Sequence, residues 1–205
     1  SQPNASARKK DPTNDLFWRF DMRRLTAEEL RDSILLVTGS LDLETFGGPS
    51  VFPSIPPAVL KGQSANKWKV NKAAEHNTRR TVYTFVMRSL VDPFVETFDA
   101  ATTDTSCAVR FQTTQPTQAL TMLNSGFVND AAKRFAVRLQ REVGSDVNQQ
   151  VALALALTTG RKPSREQVQQ GVDFLASFPD PTDTSQAVEQ FCLIALNLNA
   201  FVFIE

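Results

Sequence analysis

From Pro116 onward the apolar residues recur at helical spacing almost to the end of the chain, and capping residues divide the run into short helices. This constrains the fold most, because four or five short amphipathic helices can bury their stripes only against one another. Pro116 fits a first helical position, and Gln115 before it is pushed toward extended geometry. Ala119, Leu120 and Leu123 make a stripe that Asn124-Ser125-Gly126 breaks, with Ser125 placed to cap the next helix. There Val128, Ala131, Ala132, Phe135 and Leu139 share a face, and Gly144 stops the helix. "VNQQVALALALTTG", 147–160, is apolar almost all round after residue 151 and predicts a central buried helix. Ser164-Arg-Glu-Gln167 is a capping box for a helix with Val168, Gly171, Val172 and Leu175 on its buried side. Val188, Phe191, Cys192, Ala195 and Leu196 give the last stripe, before the apolar tail "FVFIE".

The first half is less regular. Residues 1–15 read as a polar, flexible lead-in. In "LFWRFDMRRL", 16–25, Leu16, Trp18 and Phe20 face one way if the segment is extended, which suits a short strand or arm. Thr26-Ala-Glu-Glu29 is a capping box, and Ala27, Leu30, Ile34 and Val37 follow at helical spacing up to Gly39, predicting a helix at 27–38. "FGGPSVFPSIPP" holds two glycines and four prolines in twelve residues, too many breakers for helix or central strand; its phenylalanines are expected to anchor a packed loop. Residues 61–80 are polar and basic. "RRTVYTFVMRSL", 79–90, is β-branched and aromatic on both alternating faces and predicts a strand buried on both sides. "PFVETFDA" after Asp92 suits one helical turn. The reading is a mainly α domain over 16–205, a helical bundle in the C-terminal half with a small β component and long Gly/Pro-rich loops in the N-terminal half. The chain begins Ser-Gln-Pro-Asn and reads as a fragment of a larger protein.

Composition excludes some functions and leaves others open. The 22 Lys and Arg balance 22 Asp and Glu, so no global field favours nucleic acid or an anionic membrane. The balance is local: residues 1–90 carry 14 basic against 9 acidic side chains. A single histidine, His76, and two cysteines, Cys107 and Cys192, argue against a zinc site of the usual Cys/His type; no haem-attachment motif is present, and no cofactor is expected in this chain. No apolar run is long enough to span a bilayer. Whether the two cysteines pair is open at this level.

Four groups of residues are candidates for a site. Cys107, with Arg110 three positions on, has the composition of an activated thiol, but His76 is 31 residues away in a loop, and a structural role is the stronger reading. Asp92, Glu96, Asp99 and Asp104 are near enough in sequence for acid/base or cation chemistry, or for local capping. Arg79, Arg80, Arg88 and Arg110 flank the expected strand and need partners, for which that acidic cluster is the obvious choice; an anion pocket is the alternative. The basic segment 61–80 with Trp68 could stack on a base or a sugar, or be a solvated loop.

"WRFDMRRLTAEELRDSILLVTGSLD", "GGPSVFP", "RRTVYTFVMRS", "FDAATTDTSCAVRFQTTQPTQALTMLNS", "LALTTGRKPSREQV" and "ALNLNAFVFIE" occur in that order. Together they resemble the C-terminal domain of large secreted proteins abundant in planctomycetes and related bacteria, catalogued as domain of unknown function 1553. The likeness covers most of the chain from Leu16, apart from 54–78. It implies export to the periplasm or cell surface, in a protein that often also carries a c-type haem domain. Positions matching the family pattern are Arg23, Arg24, Asp32, Gly47, Gly48, Pro49, Arg79, Asp99, Cys107, Arg110, Thr114, Pro116, Gln118 and Asn124. Arg79, Arg80, Asp99, Cys107, Arg110, Thr114, Gln118 and Asn124 are therefore the candidate polar network or binding residues.

No catalytic constellation is recognisable, so the function expected is a non-catalytic binding or interaction module. Its partners would be other domains of the same polypeptide, or a polysaccharide or protein ligand. The alternatives are an enzyme acting on an extracellular polymer, with Arg79, Asp99, Arg110 and Gln118 lining its pocket, and a docking scaffold for the haem domain. An open pocket holding a carboxylate without an arginine partner would favour the enzyme.

Overall fold

Caps mark the helices where the sequence places them. The computed structural model describes residues 4–60, 68, 78–88, 90–103, 105–178 and 184–204. Helix α1 spans Ala5–Lys10, α2 Ala27–Val37, α3 Pro93–Thr97, α4 Pro116–Asn124 and α5 Gly126–Val143. Helix α6 spans Val147–Thr159, α7 Arg165–Ala176, α8 Thr184–Leu196 and α9 Asn199–Val202. Both expected capping boxes form: Glu29 N–H donates to Thr26 Oγ1 and Thr26 N–H to Glu29 Oε2, and Ser164 and Gln167 repeat the exchange. Ser125 ends α4 and caps α5. Gly39 closes α2 at φ 70°, a conformation that costs glycine little.

The core lies between α5 and α8, with α2, α6 and α7 around them. Val128, Ala131, Phe135 and Leu139 of α5 are essentially inaccessible, as are Cys192 and Leu196 of α8 and Leu30 and Ile34 of α2. Each fully buried Leu, Ile or Phe contributes roughly 1.5–3 kcal/mol relative to exposure, so α2, α5 and α8 together hold the bundle. The helix expected at the centre, α6, lies at the side: Val151 and Ala154 are buried, while Leu153, Leu155 and Leu157 are only half-buried. An all-apolar surface says a helix can be buried all round. It does not say that neighbours exist on every side.

The β component is present: it falls at the end of the segment 16–25, where a short strand was one expectation, and not at 79–90. Strand β1, Arg23–Arg24, pairs antiparallel with β2, Phe203–Ile204, so this part of the apolar tail returns to the entry of α2. The segment 79–90 is not a buried strand. Thr81–Tyr83 is a turn of 3₁₀-helix, and Val82 and Val86 are 73% and 66% exposed. Local bonds compete with a ladder here. Tyr83 N–H donates back to Arg80, Thr84 N–H to Thr81, and Asp32 captures the Thr81 amide and hydroxyl. Two isolated parallel bridges, Asp42 to Arg79 and Val51 to Thr84, are the remnant of strand pairing with other segments.

The opening segment also differs from an extended arm. Residues 5–10 are helical where a flexible lead-in was expected, and Asp11 and Asn14 are buried. The Asp11 carboxylate accepts from the Asp15 and Leu16 amides, and its carbonyl from Trp18 Nε1. The chain turns there through positive φ at Asn14 and Phe17, leaving Leu16 and Phe17 exposed. Trp68, offered as a stacking surface, is instead buried. It packs edge-on against Phe52 and Phe85 in a second small cluster with Ile55 and Leu90, donating from Nε1 to Pro53. Of the two phenylalanines expected to anchor the glycine-proline loop, Phe52 does so and Phe46 is 73% exposed. The rest of the basic stretch, residues 61–67 and 69–77 with His76, lies outside the described residues, as does Asp104.

Candidate functional site

Helix α2 has two faces. Ala27, Leu30, Ile34 and Val37 face the core, while Glu28, Glu29, Asp32 and Leu36 look across a groove of about 1090 Å³. The opposite wall is the irregular segment from Arg80 to Met87. Leu90, Val91 and Val95 supply apolar surface, and residues 100–103 with Arg110 close one end.

The carboxylates on α2 are tied one by one. Arg110 Nη1 donates to both oxygens of Glu28 at 2.9 and 2.8 Å. Arg23 grips Glu29 with both terminal nitrogens at 2.8 Å. That two-pronged bond, helped by the Thr26 amide and hydroxyl and opposed by burial, holds the Glu29 carboxyl down at about 2. Asp32 Oδ1 accepts from the Thr81 amide at 2.8 Å and hydroxyl at 2.6 Å, with Arg31 and Arg80 at 3.7 and 3.9 Å. Asp92 differs. It caps α3 by accepting from the Phe94 amide at 2.9 Å. Burial pushes its carboxyl above the usual range, against that amide and the charge of Arg31. Arg31 is itself buried, which pulls its guanidinium down. It donates to the Arg79 carbonyl and the Thr81 hydroxyl and lies over the Phe127 ring. The groove thus offers an apolar floor, walls of compensated charge and one acid of raised pKa.

The other candidates fall into separate places. Asp99 and Gln118 meet in a buried corner beside Arg24. Asp99, at φ 60°, accepts from Arg24 Nη2 at 2.6 Å, from the Thr113 amide at 2.8 Å and from its hydroxyl at 2.9 Å. Gln118 Nε2 donates to the Thr97 carbonyl at 3.2 Å and Thr113 Oγ1 at 3.3 Å. Arg24, 4% exposed, also donates to the carbonyls of Leu25, Phe98 and Thr113 and lies over the Phe98 ring. This corner joins β1, the end of α3 and the start of α4. Arg24, Asp99, Thr113 and Gln118 do not line the groove.

Arg79 does not reach the acidic cluster. Its guanidinium donates to the carbonyls of Thr45, Gly47 and Pro49 and stacks on Tyr83 at 4.2 Å, so it staples the glycine-proline loop. The positive φ of Gly47 and Gly48 lets those carbonyls converge on it. Cys107, Thr114 and Asn124 are exposed; the Asn124 side chain donates to Leu120 within its own helix. Cys107 and Cys192 are both free. Burial pushes the Cys192 thiol far up, so in native protein a thiol reagent such as Ellman's should label one cysteine, Cys107, and in denaturant two. Two equivalents under native conditions would contradict this packing of α8.

Sequence reasoning named Arg80, Asp92 and Arg110 but did not bring them to one groove with Glu28, Asp32 and Leu36. A signal was available. Leu36 is an apolar residue off the buried stripe of α2, in line with Glu28 and Asp32 at helical spacing. Among the described residues no cluster of three or more His, Cys, Asp or Glu side chains is arranged to hold a metal, and no helix is long and apolar enough to cross a membrane.

The model of a family described as a protein of unknown function, DUF1553, matches residues 1–175, and the chain belongs to that family. The match takes in the first fifteen residues, where α1 and the buried Asp11 lie. Nothing among curated proteins or solved structures matches.

Proposed function

We propose that this member of the family is a non-catalytic binding module of a larger exported protein, at home in the periplasm or at the cell surface, and that the groove beside α2 is where it takes its ligand. The observation that supports this most is the pairing of the groove's charges. Glu28, Glu29 and Asp32 are each occupied by an arginine or a threonine, so the walls orient a ligand without offering a free nucleophile. The corner holding Asp99 and Gln118 supports the fold instead. Other domains of the same polypeptide and polymers outside the cell are the partners this surface suits.

Leu36, 53% exposed, tests the reading, because a bulky replacement there fills the groove without touching the core. With amide-shift mapping against soluble polysaccharides and short peptides, shifts should cluster at Glu28, Asp32, Leu36 and Thr84–Met87. Leu36→Trp should abolish them while leaving the melting temperature in place. Shifts confined to another surface overturn the assignment.

Asp92 supports a second reading. An acid of raised pKa at the edge of an apolar groove has the character of a proton donor to a leaving group. Release of new chain ends from a soluble polysaccharide, lost in Asp92→Asn, would move the assignment from binding to hydrolysis.

A further inference from the structure

The groove wall opposite α2 has an edge of backbone that suits one kind of ligand. Thr84 is extended, at φ −71° and ψ 140°. Val51 sits on one side of this segment: its N–H donates to the Tyr83 carbonyl at 2.8 Å, and its carbonyl accepts from Phe85 N–H at 2.7 Å. In extended chain, successive residues point their N–H and C=O to opposite edges. The groups of Thr84 therefore point away from Val51, and where the chain continues extended the next groups on that edge are those of Val86. The Thr84 amide turns back to Thr81. The Thr84 carbonyl and both backbone groups of Val86 have no hydrogen-bond partner among the described residues. Thr84 and Val86 both line the groove, and the Val86 side chain is 66% exposed.

We infer that the groove binds an extended peptide segment, which adds as a strand along Thr84–Val86. This rests on the reading of the groove as the ligand site and names the ligand's class. One residue of the incoming segment donates to Thr84 C=O and accepts from Val86 N–H, repeating on the open edge what Val51 does on the other. Its neighbours alternate in direction. One set meets the apolar surface of Leu36, Leu90 and Val95, and the other faces water. A sugar polymer has no backbone with that spacing of donor and acceptor. An unpaired extended edge also invites uncontrolled pairing, and natural proteins blunt or cover such edges. The α2 wall, with its paired charges, faces that edge across the groove.

The test uses the full 205-residue chain and an acetylated, amidated peptide of alternating valine and threonine with a lysine at each end. Its partner probe is the same peptide N-methylated at the central residues. The first peptide should bind, slow hydrogen exchange at the Val86 amide at least tenfold, and bind at least tenfold more weakly to Val86→Pro, which lacks the donor. The N-methylated peptide should not bind. Equal binding of either peptide to wild type and Val86→Pro overturns the inference. If neither peptide binds but the soluble β-glucan laminarin does, and Leu36→Trp abolishes that, strand addition is wrong and the groove remains the site. If none of the probes is affected by Leu36→Trp, both readings fall. Exchange at Val86 in the wild-type chain decides the matter even where Val86→Pro does not fold.

Discussion

Asp99→Ala should cost about 3 kcal/mol of stability, the lower part of the range for breaking a buried ion pair by removing one partner. The reason is Arg24. Its guanidinium is almost wholly inaccessible and keeps its three carbonyl partners in the variant, but the one carboxylate at contact distance among the described residues is gone. The Thr113 amide and hydroxyl lose their acceptor in the same stroke. The shift should be read as the midpoint of urea unfolding at constant slope. Arg24→Met placed on Asp99→Ala should recover part of the loss, because it removes the stranded charge rather than adding a bond. The pH dependence has a definite sign. Burial raises the Asp99 carboxyl, but the Thr113 bonds and Arg24 outweigh it and hold it below its ordinary value. Its contribution is therefore present above the unfolded pKa and is lost as pH falls through the folded one. A loss below about 0.5 kcal/mol would mean the corner is not a structural tie. Arg110→Ala, by contrast, breaks an ion pair whose members are 41% and 35% exposed, of the kind worth about 1 kcal/mol or less.

This contrast shows what was legible in the sequence and why the rest was not. Caps and periodicity are local signals. They located α2, α4, α5 and α7 to within a residue or two, and the stripe Val188, Phe191, Cys192, Ala195 and Leu196 is buried as its spacing says. Propensity failed at 79–90, where a hydroxyl, an amide and Asp32 offered the backbone a better local partner than a ladder could. Charge pairing was foreseen in kind but not in detail. The arginines do neutralise carboxylates, yet Asp99 takes Arg24, 75 residues away in sequence, and Glu28 takes Arg110, 82 away. Nothing in spacing encodes such partners. Arg79 illustrates the other limit. A buried arginine needs partners, but carbonyl oxygens of a glycine-turned loop can take the place of carboxylates, here for both terminal nitrogens of Arg79, and a sequence does not say which. The groove was hidden for a related reason, since it is made of one face of α2 and an irregular segment about 50 residues on, joined to it by bonds from Arg31 and Asp32 to Arg79 and Thr81.

Gly171 should be the least replaceable residue of α7. In an exposed helix, glycine to alanine gains about 1 kcal/mol of propensity. At Gly171 a methyl carbon would stand 2.5 Å from Val151 Cγ1 and 3.0 and 3.1 Å from two ring atoms of Phe191. Val151 is fully buried and β-branched, so its χ1 has little freedom to yield. Phe191 is 6% exposed and packed beside Phe174. The contact can be relieved only by moving α7 away from α6 and α8, and overpacking of this sort costs roughly 1–3 kcal/mol. Set against the propensity gain, the clash should leave Gly171→Ala destabilised by about 1 kcal/mol, a fall in melting temperature of roughly 2–4 °C for a chain of this size. Val151→Ala in the same chain should relieve part of that loss, because it deletes the methyl the new carbon meets, and the two substitutions should be non-additive in the recovering direction. A higher melting temperature for Gly171→Ala alone would mean that α7 stands off from Val151, and that the apolar side of α6 is still less covered than its half-buried leucines indicate.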